Sequence, residues 1–170
     1  DTVLSRGLGD VYKRQNKALE IIEAKYLFGI EKEKIEAIIH PEGLVHSFVE
    51  FVDGTTLASM AKPDMKIPIS YGLGFPKIIN NKINKVDLQK LANLSFEKID
   101  RKKFPSIDFA YYAINQGGGM PIVLNAANEL AVDYFMKEKI KFTDIFRLIS
   151  STLSYVDKNN IKLQSVSFDS

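Results

Sequence analysis

Val45-His46-Ser47-Phe48-Val49-Glu50-Phe51-Val52-Asp53-Gly54-Thr55-Thr56-Leu57-Ala58-Ser59-Met60 is the stretch that decides the fold class. Its valines, phenylalanines and threonines predict one strand from Val45 to Val52 and another from Thr55 to Met60. Asp53-Gly54 between them reads as a two-residue hairpin turn. Upstream, Ile35-Glu36-Ala37-Ile38-Ile39 reads as a further strand. His40-Pro41-Glu42-Gly43 is the turn that joins it to the hairpin, because proline and glycine interrupt regular structure. The expectation is an antiparallel sheet.

Toward the N-terminus the period changes. Leu19, Ile22, Ala24, Tyr26 and Leu27 approximate a 3.6-residue stripe, which predicts a helix with Asn16 as its N-cap and Gly29 as its stop. Residues 1–15 sustain no period of either kind and read as a non-native, adapter-like segment, set aside from fold reasoning. Helix plus antiparallel sheet make residues 16–75 an α+β unit.

Toward the C-terminus, Pro63, Pro68, Pro76, Gly72 and Gly74 predict irregular backbone. Residues 76–104 read as an extended connector with a short helix around Asp87 to Ala92. Beyond Pro105 the chain turns helical again. One helix is expected over Ser106 to Gln116, closed by Gly117-Gly118-Gly119. A second runs from about Pro121 to about Lys139, and a third from Asp144 to about Val156 with Thr143 as cap. Residues 105–170 are thus a C-terminal α-helical bundle domain, in which residues 157–170 supply no closing element.

Composition narrows the class. Hydrophobic residues make up 45% of the 170, enough for a packed core and against disorder. Lys and Arg number 23 against 21 Asp and Glu, without an arginine-rich run, so nucleic acid is not an expected partner. No apolar run approaches the roughly 20 residues of a membrane span. Cysteine is absent, which fits a reducing cytosol and rules out a thiolate metal site. His40 and His46 are the only histidines, too few for a histidine-rich zinc centre.

A few residues carry chemistry. Asn16, Lys17 and Glu20 fall on one face of a single helical turn, three and four positions apart. An acceptor-only carboxylate beside a three-donor ammonium and an amide can hold both a metal and a phosphorylated or polyhydroxylated ligand. A solvated Lys–Glu pair is the commoner meaning of such a turn taken alone. His46 is the better placed of the two histidines, with Phe48 and Glu50 on one strand face at a loop–sheet boundary. Met65, in the loop Pro63-Asp64-Met65-Lys66-Ile67-Pro68, is either a core filler or a soft surface for a flat ring. Leu124-Asn125-Ala126-Ala127-Asn128-Glu129 reads as a helix start with Asn125 or Asn128 capping and small residues for close packing. Gly117-Gly118-Gly119 matches neither phosphate-binding glycine pattern.

Taken in order, Asn16-Lys17-x-x-Glu20, Ile22-Glu23-Ala24, His40-Pro41-x-x-x-x-His46-Ser47, Asp53-Gly54, Pro63-Asp64-Met65, Pro68-Ile69, Leu124 to Glu129 and Phe142-Thr143-Asp144-Ile145 resemble the 1-deoxy-D-xylulose 5-phosphate reductoisomerase family. The match runs from Asn16 to about Val156. The resemblance implies an NADPH-dependent enzyme that also uses magnesium or manganese. Its substrate is a phosphorylated sugar, which it rearranges and reduces to 2-C-methyl-D-erythritol 4-phosphate for isoprenoid synthesis. It implies Asn16, Lys17 and Glu20 as substrate contacts, Glu20 as a metal ligand, His46 as a catalytic residue and Met65 as a neighbour of the nicotinamide. A homodimer formed through the central domain follows from it too, as does a C-terminal helical domain that is truncated in this chain. So does residence in the bacterial cytoplasm, or in the plastid of a eukaryote that has one. The family's nucleotide-binding loop, the Asp and Glu that complete its metal site and its lid have no counterpart in this sequence, so the chain alone is expected to be inactive. Two other readings are a divergent reductoisomerase-like enzyme and a noncatalytic module that dimerises through its sheet.

Overall fold

The computed structural model describes residues 16–80, 82–83, 85–159 and 161. The adapter-like segment 1–15 and most of the expected tail lie outside the described residues. The chain divides into two compact units, residues 38–98 and the flanking residues on either side, up to Ala37 and from Ile99. The expected boundaries at 75 and 105 fall elsewhere: the helix whose described part begins at residue 16 groups with the C-terminal helices, and residues 99–104 join them.

In the flanking unit four helices build the core. The described part of α1 covers residues 16–28, followed by α3 (Ser106–Gln116), α4 (Met120–Met136) and α5 (Phe142–Lys158). The amphipathic period is cleanest in α5, where Ile145, Ile149, Leu153 and Val156 are buried at spacings of four, four and three. Against them pack Leu124, Ala127, Ala131 and Val132 of α4, Ile107, Ala110 and Ala113 of α3, and Ala18, Ile21 and Ile22 of α1. The alanines let the helix backbones approach closely.

The helix ends follow local chemistry, with two departures from expectation. Gly117 closes α3 at φ +65°, a backbone that only glycine adopts without strain. Pro121 stands in the first turn of α4, where a missing N–H costs nothing. Asn16 is itself helical and is not a cap. Thr143 is not one either. Phe142 already belongs to α5, its ring edge-on to Phe135 and Phe146 at 6.1 and 5.6 Å, and the Asp144 carboxylate reaches back to accept the Lys141 N–H at 3.0 Å.

The expected strand over 35–39 shrinks for a reason visible in the packing. The Ile35 carbonyl accepts the Tyr111 hydroxyl at 2.6 Å, and Ile35 and Ala37 pack on the helical core. Only β1 (Ile38–Ile39) remains, paired antiparallel with β4 (Glu97–Lys98). The hairpin forms as expected between β2 (Val45–Glu50) and β3 (Thr56–Met60), but as a separate two-stranded sheet. Its turn is longer than two residues. The Phe51 N–H bonds the Thr55 carbonyl at 2.8 Å around a three-residue loop, with Gly54 at φ +84°.

The proline-rich stretch after the hairpin is not irregular. It contains α2 (Lys66–Gly74), started by the Asp64 carboxylate, which accepts the Lys66 N–H at 2.9 Å. Pro68 is the third residue of α2, so its missing N–H falls among the donors that have no intrahelical acceptor. The short helix near Asp87 is a single 3-10 turn, Leu88–Lys90, with the Asp87 side chain accepting from Gln89 N–H. Among the described residues of 38–98, none is buried.

Candidate functional site

The α1 turn presents its polar side chains away from its packed one. Ala18 is 4% and Ile21 3% exposed, whereas Asn16 and Glu20 are open to solvent and Lys17 is half-buried. Lys17 Nζ is ion-paired to Glu20 Oε2. The helical period alone produces this arrangement, since residues 18, 21 and 22 fall on one side and 16, 17 and 20 on another. A compact ammonium beside a carboxylate suits a ligand that carries both phosphate and metal-chelating oxygens. Among the described residues no group of three His, Cys, Asp or Glu side chains is arranged to hold a metal ion. Glu20 therefore fits as one ligand, not as a centre.

His46 and Met65 lie in the other unit and are described there by themselves. The pairing of β2 with β3 slips between Val45 and Ser47, so His46 is the extra residue of a bulge. That bulge interrupts the alternation that groups His46 with Phe48 and Glu50 in the sequence. Bulges re-aim side chains, and this one leaves His46 exposed with Nε2 3.1 Å from the Ala61 carbonyl. Met65 stands at the start of α2 and is 71% exposed, so it is not a core filler.

A cluster that sequence reasoning missed sits at the ends of the β1–β4 pair. The His40 side chain is only 6% exposed. Its Nδ1 lies 2.8 Å from the Ser95 carbonyl and 3.0 Å from Glu42 Oε2, so that nitrogen carries the proton. Glu42 in turn accepts the Ser95 hydroxyl at 2.6 Å and the Ser95 N–H at 3.2 Å. The Ser95 hydroxyl, with help from the backbone N–H groups and from His40, holds the Glu42 carboxyl below its ordinary range. Serine, histidine and acid here do not make a nucleophilic relay. The serine gives its proton to the carboxylate, and His40 Nε2 is enclosed without a partner. The cluster is a structural clasp. The Pro41-to-Gly43 turn marks one half of it in the sequence; Ser95 is more than fifty residues away and carries no local signal.

The motif at Leu124–Glu129 is central in α4, not at its start. Asn125 is exposed, Asn128 is half-buried, and neither caps a helix.

No helix among the described residues is long and apolar enough to cross a membrane. Comparison with known proteins places the chain. The family model for the DXP reductoisomerase C-terminal domain matches residues 60–168. A 1-deoxy-D-xylulose 5-phosphate reductoisomerase of a Sulfurihydrogenibium species is 50% identical over 151 residues, 89% of this chain and 40% of that protein. The enzyme of the same name from Nitrosomonas eutropha is 45% identical over 146 residues, 86% of this chain and 35% of that protein. Among solved structures, the reductoisomerase of Zymomonas mobilis in complex with NADPH aligns with a TM-score of 0.81 at 40% identity, covering 90% of this chain and 39% of that one. A reductoisomerase solved with NADPH, fosmidomycin and magnesium aligns at 0.81 and 41%, covering 87% and 37%. The chain thus spans less than half the length of the proteins it matches. On the family model and these identities, it belongs to the 1-deoxy-D-xylulose 5-phosphate reductoisomerase family.

Proposed function

We propose that the chain supplies part of the machinery that converts 1-deoxy-D-xylulose 5-phosphate to 2-C-methyl-D-erythritol 4-phosphate, with NADPH and magnesium or manganese. The observation that carries this reading is the α1 turn, where Lys17 and Glu20 stand side by side on the surface flanking the packed Ala18 and Ile21. Asn16 and Lys17 bind the substrate, the amide to its oxygens and the ammonium to its negative charge. Glu20 contributes one hard carboxylate to the metal and orients the substrate beside it. A divalent ion, when bound, polarises the ketone oxygen. Hydride comes from NADPH, and Met65 offers a polarisable thioether against the nicotinamide. His46, held at the bulge through its bond to the Ala61 carbonyl, acts on the substrate as a catalytic group.

Two finer points belong to the same reading. The chain alone is inactive, because no three His, Cys, Asp or Glu side chains among its described residues are grouped to hold a metal ion, and a hard cation needs about six oxygens. It also assembles as a homodimer through the hairpin: Phe48, Val49, Phe51, Val52 and Leu57 are all exposed on β2, β3 and the turn between them. The cytoplasm is the compartment that fits a chain without cysteine.

The test is Glu20→Gln in a full-length reductoisomerase that contains this chain. The amide keeps the size and loses the charge, so the apparent KM for Mg2+ should rise by about 10- to 100-fold while the dimer persists on a sizing column. Unchanged metal dependence removes Glu20 from the metal site and favours the reading as a dimerisation module.

A further inference from the structure

His46 sits between two ties on β2. Two residues before it, the Leu44 carbonyl accepts the Ala61 N–H at 2.9 Å, where the chain enters and leaves the hairpin. Two residues after it, the Phe48 ring meets Phe96 edge-on. Strand pairing fixes β2 against β3, yet among the described elements neither strand touches a third to a comparable degree. A two-stranded hairpin is marginal by itself in water. With no buried residue described in 38–98, no core stops this one from swinging as a body about Leu44 and Ala61. The Phe48–Phe96 contact opposes that swing from the far side of His46.

We propose that Phe96 is a positioning residue that holds β2 in place and so aims His46 at the substrate; this rests on the assignment of His46 as a catalytic group. Phe96 suits the task because it is itself anchored. It directly precedes β4, which pairs with β1, and its ring is stacked on the His40 imidazole. His40 Nδ1 donates to the Ser95 carbonyl, and Ser95 gives its N–H and its hydroxyl to Glu42. The clasp thus reaches the strand of His46 through two ring contacts in series. Burial is a poor account of these rings. Phe48 and Phe96 remain 42% and 43% exposed, so their contact hides little apolar surface. What it supplies is direction, because an edge-on aromatic pair has a preferred geometry that an aliphatic side chain lacks. The leverage is large. At about 3.3 Å per residue, a swing of about 10° about Leu44 moves the backbone at His46 by about 1 Å, a misplacement that can cost about 100-fold in rate.

The experiment is a double-mutant cycle in a full-length reductoisomerase that contains this chain. Phe96→Leu keeps apolar bulk and loses the ring; His46→Gln removes the imidazole and keeps a donor for the Ala61 carbonyl. The readouts are kcat at saturating substrate, Mg2+ and NADPH, and Tm without ligands. The expected result is that Phe96→Leu lowers kcat about 10-fold in the parent and less than about twofold in the His46→Gln background. Phe96→Tyr, which keeps the ring, should stay within about threefold of the parent. Should the leucine variant fail to fold, Ser95→Ala, which loosens the anchor and leaves both rings in place, carries the same cycle. An equal loss in both backgrounds makes Phe96 a merely structural residue and overturns the proposal. So does a fall in Tm with unchanged kcat, or a tyrosine variant no better than the leucine one. If His46→Gln leaves kcat unchanged, the assignment of His46 has failed and the proposal goes with it; if it lowers kcat and Phe96→Leu acts alike in both backgrounds, only the positioning role has.

Discussion

The imidazole of His40 lies stacked on the ring of Phe96, centroids 4.7 Å apart and planes 21° from parallel. Phe96 also meets Phe48 edge-on at 5.2 Å, so one side chain beside β4 touches both the turn after β1 and the hairpin strand β2. Phe96→Ala removes both ring contacts at once. The expected loss is about 2 kcal/mol of unfolding free energy, read as a lowered urea midpoint, while Phe96→Tyr, which keeps the ring, should lose less than half of that.

The clasp below that stack makes stability depend on pH. Glu42 is held below its ordinary value of 4.5, first by the Ser95 hydroxyl. A carboxyl with a depressed folded pKa stabilises the fold above its ordinary value, and that contribution fades as pH falls through the folded one. Ser95→Ala should therefore be less stable than the parent at pH 7, and the difference should narrow as pH falls below the ordinary value of 4.5 and through the depressed folded one. Denaturant titrations of both proteins at pH 7, 5 and 3.5 measure this. A gap that stays constant across that range would remove the hydroxyl–carboxylate bond as its source.

Asp144 tests the start of α5. Its carboxylate accepts the Lys141 N–H at 3.0 Å and places negative charge at the positive end of the helix. Asp144→Ala should cost about 1 kcal/mol, and Asp144→Asn, which keeps the acceptor without the charge, about half as much. Thr143→Ala should cost less than Asp144→Ala, because Thr143 lies inside the helix and not at its cap.

Metal affinity separates one ligand from a centre. With only Glu20 and Glu23 as carboxylates on the described part of α1 and no group of three metal-ligating side chains among the described residues, the isolated chain should show no saturable heat of Mg2+ binding below about 1 mM. A sub-millimolar isotherm that vanishes in Glu20→Gln would mean that this chain holds a metal site by itself.

The helical half of the fold was readable because its signals are local. Ser106–Gln116 appears as expected, with a glycine in the left-handed region closing it, and the period of α5 survives unchanged. Strand identity at the hairpin was readable for the same reason. The readings that failed were those decided by distant partners. Ile35 leaves the expected strand because a tyrosine hydroxyl from α3 claims its carbonyl. Pro68 looked like a breaker because its position relative to Asp64, which starts α2, is a matter of register and not of composition. For the candidate site, the turn at Asn16, Lys17 and Glu20 could be placed on one helix face from spacing alone. The bulge at His46 could not, since it exists only as a slip against β3.

Residues 38–98 keep their fold with no buried residue among those described, relying on strand pairing, one aromatic stack and a few polar bonds. Such a unit opens locally at little cost, far below the cost of opening the α4–α5 pair. Its hairpin and the start of α2 carry His46 and Met65. Any ligand that engages either residue must therefore order its own contact surface as it arrives, so part of its binding free energy goes into folding and affinity becomes a measure of how well this unit is already held.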